Sequence, residues 1–169
     1  ARYDSNYGRY PGAIARAASS LVIDQRSVPL RHVAEVARLP WQQHQIDLVL
    51  ECTGAFTDRI TAEQHLHAGA SRVLFSQPAE SDVDETIVYG VNSDSLSADM
   101  TVVSAASCTT NAVVPVLATL SRAVGIEAAT ITTIHSLMND QPVLDAYHHT
   151  DLRKTRAASR RNQRPQAAS

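Results

Sequence analysis

The chain has 169 residues, 44% hydrophobic and 19% charged, enough to enclose one core. With 15 Lys and Arg against 17 Asp and Glu the net charge is −2, which argues against nucleic acid or an anionic membrane as a partner. The two cysteines, Cys52 and Cys108, make neither a disulfide framework nor a Cys-x-x-Cys zinc pair, so no metal is expected and a reducing cytoplasm is the expected setting.

The opening "ARYDSNYGRYPG" carries no capping signal, and no signal-peptide pattern or run of about 20 apolar residues follows. The span Arg26 to Gln45 is ambiguous: His32 to Leu39 suggests a helical turn or two, with Trp41 as a packing anchor. "IDLVLECTG", Ile46 to Gly54, reads as a buried strand closed by a loop, with Cys52 packed inside it. "TAEQHLHAGA" places Ala62, Leu66 and Ala70 at helical spacing before the stop signal of Gly69. "RVLFS", "ETIVYG" and "MTVVSA" read as three further strands. Strand, helix and strand with short connections predict an α/β fold around a mostly parallel sheet. In such sheets ligands gather at the carboxyl ends of strands, where Thr53, Gly54, Ser76 and Cys108 all fall.

From Cys108 onward, "NAVVPVLATLSRAVG" predicts a helix that tolerates Pro115 near its start and stops at Gly125. "AATITTIHS", Ala128 to Ser136, alternates Ile with Thr as a β-branched strand does. The remainder is polar and weakly periodic, ending in the basic "RRNQRPQAAS". Both ends read as cut, so the chain is expected to be an internal fragment.

Cys108 sits at the edge of an apolar run, where a strand hands over to a helix, rather than inside it. A thiol attacks only as thiolate, and two devices favour that form: the positive end of a helix and a histidine placed to take the proton. Ser107 is the expected N-cap, and Thr109, Thr110 and Asn111 add local donors. His135 is the expected proton acceptor. His32, His44, His65 and His67 lie in surface-like polar contexts, and His148 and His149 fall in the long polar loop. Packing is the competing reading for a single cysteine.

"SAASCTTN", followed 27 residues after the cysteine by "TTIHS", resembles the active site of the glyceraldehyde-3-phosphate dehydrogenase family. "YDSNYGRY", "ECTGAFTDR", "HLHAGASRVLFSQP" and "VYGVNSD" fall in that family's order, so the resemblance spans residues 1 to about 158. Its implied fold is the second half of a Rossmann-type NAD-binding domain, residues 1–106 without the first strand-turn-helix. The start of the α+β catalytic domain follows over 107–158, then a non-family tail over 159–169. No G-x-G-x-x-G occurs, and Ala105 stands where the family's S-N-A-S has Asn.

The resemblance implies Cys108 and His135 as catalytic residues, Ser107, Thr109, Arg153 and Lys154 as substrate contacts, and Thr53, Gly54 and Ser76 as contacts to NAD. "DAYH", "DLR" and "TRAAS" resemble the erythrose-4-phosphate dehydrogenase branch. Where the glycolytic branch carries a phosphate-holding threonine, this chain has Met138, whose thioether gives no such hydrogen bond. The resemblance therefore implies NAD-dependent oxidation of erythrose 4-phosphate to 4-phosphoerythronate, a step toward pyridoxal phosphate, by a cytoplasmic homotetramer. The alternatives are the phosphorylating glycolytic reaction and an inactive truncated module, and the fragment alone is expected to be inactive.

Overall fold

A computed structural model describes residues 3, 4, 7–136 and 145. Short antiparallel pieces come first. β1 (Tyr3–Asp4) pairs with β2 (Gly8–Arg9), and β3 (Ile14–Ala17), β4 (Ser20–Ile23) and β5 (Arg26–Pro29) form a three-stranded meander. The β4–β5 turn puts Asp24 and Gln25 at φ +46° and +70°, the mirror-image turn whose twist suits a two-residue hairpin. No apolar–polar alternation marks these strands in the sequence: β4 runs Leu-Val-Ile without a break, and β3 and β5 are largely exposed. The ambiguous segment contributes one 3-10 turn, Val36–Arg38, and Trp41 packs against the core as expected.

The main sheet is parallel. β6 (Leu48–Glu51) pairs with β7 (Arg72–Phe75), and β8 (Glu85–Thr86) and β9 (Val102–Ser104) complete it in the order β6-β7-β9-β8. Period-2 alternation turns Val49, Val73, Phe75 and Val102 into the core with Ala62 and Ala70, and leaves Leu48 and Leu50 exposed on the other face of β6. The crossover helix α1 (Arg59–His67) starts where the Asp58 side chain accepts the Thr61 amide at 2.8 Å. It ends at Ala68, followed by Gly69 at φ +108°, whose missing side chain lets the backbone of Gln42 approach. β8 is shorter than "ETIVYG" suggests. The Asn92 side chain accepts from the Val88 amide and donates to Thr86 O, folding the chain into a turn.

α2 (Cys108–Val124) runs through Pro115 to Gly125 as expected. The strand expected over Ala128 to Ser136 does not form, since among the described residues no strand pairs with it, and β-propensity acts through such pairing. None of the described helices is long and apolar enough to cross a membrane.

Candidate active site

A tight elbow carries the chain from β9 into α2. Ser104, fully buried, donates its hydroxyl to Gln77 O at 2.8 Å and accepts the Ala106 amide at 3.1 Å. Ala106 then takes φ +60°, a left-handed conformation that costs a non-glycine residue on the order of 1 kcal/mol and recurs at functional turns. Ser107 caps the helix by accepting the Thr110 amide at 2.9 Å. From the first turn, Asn111 reaches back and donates to Ala105 O and Ser107 O at 2.7 and 2.9 Å. Cys108 is thereby fixed as the first helical residue, exposed at its positive end.

His135 meets it. Cys108 Sγ lies 3.1 Å from His135 Nε2. The other ring nitrogen, Nδ1, lies 2.8 Å from Ser136 O, and a carbonyl oxygen only accepts, so Nδ1 carries the proton of the neutral ring. Nε2 therefore presents its lone pair to the thiol. The hydrogen bond to His135 holds the Cys108 thiol below its ordinary value; partial burial opposes this, while the charge His135 gains on taking the proton and the Thr109 hydroxyl and amide reinforce it. The arrangement favours the thiolate beside an acid–base imidazole, with helix-end donors nearby for an oxyanion.

The carboxyl ends of β6, β7 and β9 lie side by side, placing Thr53, Ser76 and the elbow along one edge of the sheet. Thr53 and Gly54 form an exposed turn after β6, with Gly54 at φ +70° and open space where a side chain would stand. Ser76 is exposed directly after β7, and its amide continues the ladder to Glu51 O at 3.0 Å. Exposed backbone and hydroxyl groups at adjacent parallel strand ends fit a dinucleotide. A cleft of about 680 Å³ lies against β6, lined by Trp41, Leu50, Thr53 and Phe56 among others, but not by Cys108 or His135.

Two further sequence expectations are corrected at the site. Cys52 is exposed rather than packed, because β6 ends at Glu51 and the next residue leaves the core. His65 is buried rather than at the surface. It faces inward from α1 against Glu51 and Trp41, in a polar triad that its sequence context does not signal. Ser104 and the strained Ala106 also escape sequence reading, since small residues carry no pattern. Met138, His148, His149, Arg153, Lys154 and the tail from 159 lie outside the described residues.

Residues 1–59 match the family profile described as glyceraldehyde 3-phosphate dehydrogenase, NAD binding domain, and residues 107–167 match the one described as its C-terminal domain. Together the two matches cover most of the chain. The chain belongs to the glyceraldehyde-3-phosphate dehydrogenase family. Its parallel sheet and strand–elbow–helix are consistent with that family's Rossmann-like and catalytic domains, and the cofactor of the matched N-terminal domain is NAD. Family membership implies NAD-dependent oxidation of a phosphorylated aldehyde.

Proposed function

We propose that the protein oxidises erythrose 4-phosphate to 4-phosphoerythronate through a thioester on Cys108. The observation that carries the chemistry is the 3.1 Å approach of His135 Nε2 to Cys108 Sγ at the start of α2. His135 takes the thiol proton, and the thiolate adds to the aldehyde carbon, giving a thiohemiacetal whose oxygen the helix-end donors steady. The imidazolium returns that proton to the oxyanion, and Nε2 takes it up again as the carbon gives up its hydride, leaving a thioester on Cys108. Bound NAD supplies the hydride acceptor, and Thr53, Gly54 and Ser76 are the residues that would hold it. His135 then passes its proton to solvent and deprotonates a water that attacks the thioester; the tetrahedral adduct collapses, the acid leaves and the Cys108 thiolate is freed.

Ser107 and Thr109 flank the reacting carbon, and Arg153 and Lys154 are assigned to the substrate phosphate. Water is preferred over phosphate as the second nucleophile because of Met138, a thioether at the position where the glycolytic branch has a threonine. We assign residues 1–106 to the cofactor domain and 107–158 to the start of the catalytic domain. Two exposed, unpaired cysteines suit a reducing cytoplasm, and a homotetramer follows the family resemblance.

The test is NADH formation by the protein expressed from its whole coding sequence. Erythrose 4-phosphate and glyceraldehyde 3-phosphate are each supplied with and without inorganic phosphate. Turnover of the four-carbon aldehyde without phosphate is expected; strict phosphate dependence would reassign the protein to the glycolytic reaction.

A further inference from the structure

Glu51 ends β6 with its carboxyl turned inward, 4% exposed, beside His65 of α1, also 4% exposed. A carboxylate so buried is costly unless its oxygens are bonded. Oε1 accepts from the Thr53 amide at 2.7 Å and the Thr53 hydroxyl at 2.5 Å, and Oε2 faces His65 Nε2 at 3.4 Å. Trp41 donates its indole N–H to His65 Nδ1 at 3.0 Å. An indole nitrogen only donates, so Nδ1 is an acceptor and the imidazole proton sits on Nε2, aimed at Glu51. Donation runs one way, from Trp41 to His65 to Glu51, with Thr53 donating to the same carboxyl from the far side.

Between Glu51 and Phe56, which packs against the core, the chain is exposed. Residues 52–55 are all exposed, and among the described residues, its two chain neighbours aside, no atom lies within 4 Å of where a Gly54 side chain would start. The turn is closed instead by Thr53, whose hydroxyl oxygen also accepts the Ala55 amide at 3.2 Å across the left-handed Gly54. A shape held in the open by a buried carboxyl is costly architecture for a loop that does nothing.

We propose that Glu51, His65 and Trp41 are positioning residues for the cofactor, fixing the Thr53–Gly54 turn in the form that receives the dinucleotide without touching it. The proposal rests on assigning NAD to these strand ends. Glu51→Gln keeps the side-chain volume but replaces one acceptor oxygen with an NH2 group. In either amide orientation that group faces an N–H, from His65 Nε2 or from Thr53. Trp41→Phe keeps an aromatic anchor and removes only the donor that orients His65.

Both variants are made in the protein expressed from its whole coding sequence. Amide exchange at Thr53 and Ala55 is followed without NAD, and NAD affinity by calorimetry. Turnover is normalised to the alkylatable fraction of Cys108. For Glu51→Gln, exchange at the two amides rises on the order of tenfold. The Kd and KM for NAD rise by about the same factor, equivalent to about 1.4 kcal/mol, while kcat per active Cys108 and the aldehyde KM stay within about twofold. Trp41→Phe moves the same readouts in the same direction by less, and it carries the test if Glu51→Gln fails to fold. Unchanged NAD affinity, or loss of active fraction with an unchanged NAD KM, overturns the proposal and leaves the triad as packing. A wild type that binds no NAD overturns the cofactor assignment itself, and the wild-type titration alone distinguishes that failure.

Discussion

Replacing Asp84 by Asn measures what ties the strands of the site's sheet together. Asp84 precedes β8 and bonds in two directions. Its Oδ2 accepts the Thr101 and Val102 amides at 2.7 and 2.9 Å, at the start of β9, and its Oδ1 accepts from Arg59 Nη1 at 2.6 Å, at the start of α1. Burial pushes its carboxyl up, but the Val102 amide, the Arg59 guanidinium and the Thr101 amide together outweigh it and leave it at about 2, against an ordinary 3.8. The side chain is 23% exposed, so solvent screens the ion pair only in part. The drop corresponds to roughly 2 kcal/mol of folding stability. Because the folded value is the lower one, this stability is fully present above about pH 4 and is lost as pH falls toward 2. Urea unfolding of wild type and Asp84→Asn is expected to differ by about 2 kcal/mol near pH 7, the difference shrinking steadily below pH 4. Arg59→Gln is expected to cost less, because the backbone amides remain bonded. A difference unchanged between pH 7 and pH 3, or one near zero at neutral pH, would refute this reading of the clamp.

Ser107→Ala removes the cap of α2, which is expected to lower stability by about 1 kcal/mol and to slow Cys108 alkylation as the helix start frays; denaturant unfolding and mass spectrometry read both. Gly69→Ala sets a side chain against the Gln42 backbone at φ +108°, so a loss above about 2 kcal/mol is expected in thermal unfolding, and a near-neutral effect would mean the approach is not tight.

Much of this site is legible in the sequence because its chemistry is local. Cys108, its Ser107 cap and the helix to Gly125 are set by neighbours in the chain, and the aliphatic runs of β6, β7 and β9 announce a parallel sheet. What escapes detection depends on distant partners. His65 looks like a surface residue until α1 packs it against Glu51 and Trp41, 14 and 24 residues away. The Ile–Thr alternation before His135 looks like a strand, yet strand formation needs a neighbour to pair with, and His135 reaches Cys108 from an irregular segment instead. The central strand of the N-terminal meander runs Leu-Val-Ile without a break and so shows no period 2, and turn geometry at Asp24–Gln25 sets the register.

The central claim concerns the ionisation of Cys108, and Cys52 is a built-in control, since both thiols are exposed. Iodoacetamide labelling of each, followed by mass spectrometry near pH 7 in wild type and His135→Gln, separates ionisation from access. The 3.1 Å contact predicts that Cys108 reacts faster than Cys52 in the wild type and slows on the order of tenfold in the variant while Cys52 is unaffected. Equal rates at the two thiols, or a Cys108 rate indifferent to His135, would contradict it.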